Sequence, residues 1–368
     1  MAIDGKTMGL ALSGGGYRAT LFGLGSLWRL NDAGLLGRLD RITGVSGGAI
    51  LLGALAHGWR QLQFSGGRAD NFAEVVAAPV RRLCATTIDI AAGVAGALVP
   101  FKTAGDFLAD RYRSALFGDT PLHALPAAAD GTPTFIFYAT NLQTGRSFRF
   151  RQDYIADYLL GVSRSTEVAL ATAVAASSAF PPLFSPVVLK TDPALWSEGS
   201  AVPELDALRR RIVLADGGIY DNMGLEALAG RLDIVLVSDA GAPFEVERSP
   251  HEDHVLQLGR VRDILIDQTR ALRKRWLVAE FKAGRQQGAY WGIGTRMADL
   301  ATGVPRMAPD SPVSGALEQV PTRLAAFDER RQGHLINWGY ALCDASLHAH
   351  AGLTLPGPGD WPVPEWSL

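Results

Sequence analysis

Two textures of apolar residues alternate along the first two-thirds of this chain. Short unbroken apolar runs, closed by glycine or aspartate, predict buried strands near 7–13, 39–45, 133–140, 146–151, 185–190, 211–216 and 233–239. Between them, apolar residues recur at helical spacing and predict helices near 17–33, 46–59, 70–84, 165–177, 222–230 and 253–283. The first helix carries the pattern on Leu21, Leu24, Leu27, Trp28 and Leu30. Such alternation predicts the α/β class: a central, mostly parallel sheet sandwiched by helices. A later periodic region, 315–350, places Leu317, Val320, Leu324, Phe327, Leu335, Ile336, Trp338 and Leu342 on C-terminal helices packed against that sheet. From Pro356 the chain is proline-rich and irregular. The expected organisation is one domain over 1–350, followed by a tail over 351–368. No internal repeat or low-complexity stretch interrupts it.

Three junctions in this pattern carry candidate chemistry. Gly44-Val45-Ser46-Gly47-Gly48 sits where an apolar strand should turn into an apolar helix. A serine on so tight a turn holds its hydroxyl clear of the backbone, near the positive end of a helix. Leu10-Ala11-Leu12-Ser13-Gly14-Gly15-Gly16-Tyr17-Arg18 is strand, glycine loop and helix, a geometry that aims backbone N–H groups at an anion. In a hydrolase that anion is the tetrahedral oxyanion, and Arg18 adds a charge. The same loop partly fits a dinucleotide fingerprint, with Gly14, Gly16 and Ala19 in its three places and Asp32 downstream. The third junction, Arg211 to Gly224, ends an apolar run in Asp216-Gly217-Gly218, setting one carboxylate at the carboxyl end of a strand. Asp239 ends the next strand and is a rival acid, without the paired glycines.

In order and spacing, Gly14-Gly15-Gly16-Tyr17-Arg18, Gly44-Val45-Ser46-Gly47-Gly48 and Asp216-Gly217-Gly218 resemble the patatin-like phospholipases. Ala176-Ser177-Ser178-Ala179-Phe180-Pro181-Pro182-Leu183-Phe184 looks like a further segment of that family. The resemblance spans roughly residues 7 to 240. Plant patatins carry an aspartate before the glycine triplet where this chain has Ser13, which points to a bacterial-type branch. The resemblance implies a serine acyl-hydrolase acting on phospholipids or related lipid esters. It implies a Ser46–Asp216 dyad, an acyl-enzyme intermediate, and an oxyanion held by Gly14, Gly15, Gly16 and Arg18. Two other classes stay open on the residues: a soluble Ser–His–Asp esterase, and a non-catalytic lipid- or nucleotide-binding module.

The histidines bear on the first alternative. His57 lies eleven residues into the helix that starts at Ser46, roughly 16 Å away at 1.5 Å per residue. His251, His254 and His334 follow the acid in chain order, within polar or charged stretches. No histidine pairs with cysteine or carboxylate at a metal-ligand spacing, so neither metal nor cofactor is expected.

Composition narrows the partners. At 368 residues, with 48% hydrophobic and 20% charged positions, the chain can bury a sizeable core. A net charge of −2 gives no reason to expect nucleic acid. Two cysteines, Cys84 and Cys343, make no disulfide framework and suit a reducing compartment. No apolar run reaches 18 residues and no signal architecture opens the chain, so a cytoplasmic location is expected, with peripheral membrane contact. Two segments could make that contact. Residues 83–101, apolar and rich in alanine and glycine, read as a lid or interfacial segment or as a buried core helix. Residues 262–285 set Arg262, Arg270, Arg273, Lys274, Arg275, Lys282 and Arg285 against Asp263, Asp267 and Glu280, and read as a solvated face or a holder of anionic head groups.

Overall fold

The computed structural model describes residues 5–88, 103–128, 131–244, 246–253, 256–300, 303 and 306–368. Its strands are β1 (Met8–Leu12), β2 (Arg41–Val45), the hairpin β3 (Phe64–Ser65) and β4 (Arg68–Ala69), β5 (Thr134–Asn141), β6 (Arg146–Phe150), β7 (Ile155–Asp157), β8 (Gly161–Ser163), β9 (Val187–Lys190), β10 (Trp196–Ser197), β11 (Arg211–Asp216), β12 (Ile234–Asp239) and β13 (Gln287–Gly292). Apart from the hairpin they form one sheet. Its centre is parallel in the order β5-β2-β1-β12-β13. Beyond β5 it turns antiparallel through β6, β7, β8 and β10. The expected mostly parallel core is therefore present, with an antiparallel wing attached. β1 and the first four residues of β12 are wholly apolar and buried, as strands covered by helices on both faces are.

On one face lie α1 (Gly16–Asp32), α2 (Gly47–Gly58) and the C-terminal helix Glu329–His350. The C-terminal helix packs on α1 at a backbone-to-backbone crossing. A side chain at Gly25 would collide with the Ile336 carbonyl, and one at Gly339 with the Phe22 carbonyl. Arg29 and Asp344, both fully buried, pair at 2.7 Å across the same contact. Lone buried charges would be strongly destabilising here, so the pair fixes the register of the two helices. The C-terminal helices expected from 315–350 are thus docked on the sheet domain.

Three expectations need correction. Residues 222–230 are not a helix: a short helix, Gly218–Asp221, gives way to turns. The Asp221 carboxylate takes the amides of Met223 and Leu225, and Gly224 turns left-handed at φ 72°, so side chain and backbone both divert the chain. Residues 70–84 divide into a wider π turn, Ala73–Ala77, and the α-helix Ala78–Cys84. The helix expected from 165 begins at Leu170. Of the proposed lid, residues 89–101 lie outside the described residues.

Candidate active site

Strand register brings Ser46 and Asp216 together. β2 runs alongside residues 134–138 of β5 and ends with Val45 opposite Tyr138. β11 runs the other way along residues 139–141 and arrives with Asp216 opposite Ala139. Because β6 occupies the far edge of β5, β2 and β11 share the near edge and meet end to end. Ser46 leaves one strand end and Asp216 closes the other. The Ser46 side chain lies beside the Asp216 carboxyl and favours its ionised form.

Each residue is held by more than its own strand. Ser46 has φ 51° and ψ −117°, a backbone conformation that costs a residue with a side chain about 1–3 kcal/mol. Its amide donates to Ser177 Oγ at 2.9 Å, and its carbonyl accepts from Ala49 and Ile50 in the first turn of α2. The two residues that follow must be glycine: a side chain at Gly47 would meet the Gly16 carbonyl, and one at Gly48 the Leu12 carbonyl. Asp216 donates its amide to the Ala179 carbonyl at 3.0 Å, and its carbonyl accepts from Thr140 Oγ1 at 2.8 Å. The amide of Gly217 reaches the Ser177 carbonyl at 3.0 Å. Ser177 therefore ties both strand ends together, Ser46 by its side chain and Gly217 by its backbone.

The Asp216 carboxyl is buried and accepts the Gly218 amide at 2.7 Å. Burial pushes it up to about 7, against the downward pull of the Ser46 hydroxyl and the Gly218 amide. Asp239 sits in a different setting. Burial would raise it too, but Arg270, the Tyr290 hydroxyl and the Gly241 amide pull it below the ordinary carboxylate range.

The glycine loop lies against the serine turn. Gly15 and Gly16 have φ of 140° and 55°, and Thr20 Oγ1 bonds the carbonyls of both Gly16 and Gly47. The Gly14 amide is committed to the Asn222 carbonyl at 2.9 Å, which removes it from the expected donor set. The amides of Gly15, Gly16 and Gly47 have no acceptor among the described residues. Arg18 also departs from expectation. Its guanidinium is buried and spent on carbonyls: Ala240 takes Nε and Nη2, while Glu318 and Val320 take Nη1. Desolvation lowers it to about 10. It clamps the C-terminal segment to the end of β12 and does not point a charge at Ser46.

The histidines lie elsewhere. His57 faces Thr120 and Phe117, His123 the Thr166 carbonyl, His334 Trp366, and His348 Asp344, while His254 is outside the described residues. Asp32, the acid of the dinucleotide reading, accepts from the Tyr340 hydroxyl at 2.8 Å on the C-terminal helix. Among the described residues no group of three or more His, Cys, Asp or Glu side chains is placed to hold a metal ion. Two surface clefts, of about 380 and 460 Å³, lie near Asp310 and Arg270, and neither is lined by Ser46 or Asp216.

This serine turn, glycine loop and strand-end aspartate fall inside residues 10–229, which match the sequence profile described as patatin-like phospholipase. The chain belongs to the patatin-like phospholipase family. Among solved structures, human GIVD cytosolic phospholipase A2 superposes with a TM-score of 0.53 at 14% identity, covering 93% of this chain and 59% of that one. The same human enzyme in complex with methyl gamma-linolenyl fluorophosphonate gives 0.51 at 15% identity, over 93% and 57%. A Saccharomyces cerevisiae protein named as a candidate meiotic phospholipase, SPO1, is 47% identical over 49 residues, which is 13% of this chain and 8% of the yeast one. The chain thus spans less than two thirds of each relative's length. At these identities the structural likeness establishes the patatin-like fold.

Two residues of this patatin-like site were not singled out by sequence reasoning. Ser177 was legible only as part of a run resembling the family, since nothing in Ala-Ser-Ser-Ala marks one serine as an acceptor for another residue's amide. Asn222 accepts the Gly14 amide, and its side chain fills the space beside Gly14 and Gly218. Its only signal was its place one residue after Asp221.

Proposed function

We propose that this chain is a lipid acyl-ester hydrolase working through Ser46 and Asp216. The observation that carries the reading is the juxtaposition, at two strand ends that meet, of a serine on a strained turn and a buried carboxylate that no cation neutralises. A carboxylate titrating near 7 is both basic enough to take a serine proton and ionised enough to do so at neutral pH. Ser46 Oγ attacks the ester carbonyl carbon while its proton passes to Asp216. The oxyanion that forms faces the amides of Gly15, Gly16 and Gly47. Collapse of the intermediate breaks the ester C–O bond, and the departing alcohol takes the proton from Asp216. Water then attacks the acyl-enzyme, gives its proton to Asp216 and releases the fatty acid, and Ser46 recovers its hydrogen.

Family membership supports a lipid ester as substrate. Against the Ser–His–Asp alternative, the polar partners of His57, His123 and His348 are residues other than Ser46 and Asp216. The test is incubation with mixed phospholipids and mass-spectrometric detection of free fatty acid and lysolipid, with Ser46→Ala as control. A fluorophosphonate should label the wild type and spare Ser46→Ala. Absence of both label and product would favour a non-catalytic lipid-binding module.

A further inference from the structure

The helix Gln257–Lys282 has its amphipathicity inverted. Only Leu277 is buried along its 26 residues. Apart from Leu277 and Phe281, the side facing the protein is polar: Arg270 pairs with Asp239 at 3.0 Å, Arg273 reaches Asp221 at 3.7 Å and lies over the Tyr220 ring, and the Lys274 ammonium sits 4.5 Å from the Tyr290 ring centre. The outward side is apolar. Leu258, Val261, Leu265, Leu272 and Trp276 follow one another at spacings of three, four, seven and four, which stacks them on one stripe of a 3.6-residue helix, with Ile264 at its edge. All six are between 45% and 65% exposed. Scattered exposed apolar side chains need no explanation, but five on one stripe with a sixth at its edge do.

We propose that this stripe is the surface by which the protein docks on an anionic lipid bilayer, presenting the Ser46 site to it. The proposal rests on the lipid-hydrolase reading above. Charge complementarity selects the occupant. From Gln257 to Lys282 the helix carries Arg260, Arg262, Arg270, Arg273, Lys274, Arg275 and Lys282 against Asp263, Asp267 and Glu280, and Arg260, Arg270 and Arg273 are further engaged by Glu247, Asp239 and Asp221. Of these bases, Arg275 and Lys282 are exposed at the border of the stripe, where an interfacial helix meets phosphate. Position agrees with charge. Arg262 donates to the Pro181 carbonyl at 3.0 Å and lies 4.9 Å from the Phe180 ring centre. Phe180 and Pro181 directly follow Ala179, whose carbonyl holds the Asp216 amide, so the helix borders the segment that builds the site. Beside it Leu183 is 56% exposed and extends the apolar border.

The experiment is co-sedimentation of the full chain, carrying Ser46→Ala so that lipid is not consumed, with vesicles of phosphatidylcholine alone or with about one-third phosphatidylglycerol. Binding should be clear on the anionic vesicles, weak on the neutral ones, and reduced by high salt. Adding Leu265→Glu and Leu272→Glu should weaken binding about tenfold or more. Arg275→Glu with Lys282→Glu should remove the preference for anionic lipid. In the Ser46 background of the wild type, the same helix variants should hydrolyse a short water-soluble ester at the unaltered rate and melt at the unaltered temperature. Equal binding to both vesicle types, or variants that bind like the parent, would overturn the proposal. So would a dimer by light scattering that Leu265→Glu and Leu272→Glu dissociate without affecting vesicle binding, since a second copy would then cover the stripe. Vesicle binding as expected, with no lipid hydrolysis by the wild type, would leave the surface standing and reject the catalytic reading.

Discussion

Asp216 and Asp239 make a controlled comparison within one sheet. Each is the last residue of an apolar strand, each is followed by small residues, and each is almost fully buried, at 2% and 0% exposure. Asp239 is bonded by a guanidinium and a phenol, and its carboxyl is held low. Asp216 accepts the Gly218 amide, has the Ser46 side chain beside it and no cation at hand, and its carboxyl rises to about 7. Burial is common to both, so the partner decides the outcome. A paired carboxylate is a structural strut. In the proposed mechanism the unpaired one is the base.

The largest effect expected from this contrast is on activity. Ser46→Ala and Asp216→Ala should each reduce ester hydrolysis to near background, with the double variant scarcely worse than either, as groups acting as one unit behave. Asp239→Asn should retain activity within about tenfold while losing about 3 kcal/mol of stability, because Arg270 is then left largely buried without its counter-charge. Steady-state rates beside denaturant unfolding would read both. Should Asp239→Asn abolish turnover while Asp216→Ala preserves it, the roles of strut and base are reversed.

Arg18 extends the contrast to a cation. Buried among three carbonyls, it should act as a strut like Asp239. Arg18→Ala should cost about 2–4 kcal/mol of stability, since the carbonyls of Ala240, Glu318 and Val320 lose their donors. Arg18→Lys should recover little, because an ammonium cannot span that fork. Turnover of the protein that remains folded should change less than tenfold on the order-of-magnitude scale for groups outside the reacting set. A hundredfold drop in turnover at an unchanged melting temperature would return Arg18 to the oxyanion.

Acidity offers a third test. An Asp216 carboxyl at about 7 lies above its ordinary 3.8, so in the pH window between them the folded protein holds a proton that the unfolded chain releases. That contribution to stability is complete below about 3.8 and is lost as pH rises through about 7. Asp216→Asn removes the dependence and should be the more stable protein at pH 8, by up to about 4 kcal/mol. Ester hydrolysis by the wild type should move oppositely, rising with pH through about 7 as the base ionises. Parallel stability curves for the two proteins from pH 5 to 8 would show that Asp216 titrates normally.

The sheet and its two strand-end turns were legible because apolar runs and glycine turns are local signals. Seven strands and the long helices α1 and Gln257–Lys282 fall close to where periodicity sets them. β13 was missed because Gln287 and Gly288 dilute its apolar run, and β7, β8 and β10 because two or three residues carry no period. The helix Ala104–Tyr112 announces itself only by the Thr103–Asp106 capping box, which the apolar stretch before it hides. Within the site, Ser46, Asp216 and the glycine loop were readable. The commitments of the Gly14 amide and of the Arg18 side chain were not, because their acceptors lie more than 200 residues away in sequence. Long-range partnership has no local pattern, and it is what separates a donor that is available from one that is spent.

Ser177 supplies the smallest and most specific test. Its hydroxyl is the acceptor for the Ser46 amide, and its carbonyl is the acceptor for the Gly217 amide. Ser177→Ala keeps the second contact and removes the first, leaving the left-handed turn at Ser46 without one of its restraints. The lost hydrogen bond should lower stability by about 1 kcal/mol. Turnover should fall about tenfold, because small displacements of a nucleophile from its base are costly, while the Michaelis constant stays nearly constant, since no substrate contact is touched. Ser177→Thr keeps the hydroxyl but brings a methyl group into a fully buried position, so it should restore turnover only in part. A Ser177→Ala variant with wild-type turnover and the expected loss of stability would show that the strained turn is fixed by Gly47 and Gly48 alone. The strand ends would then meet correctly without the link between them.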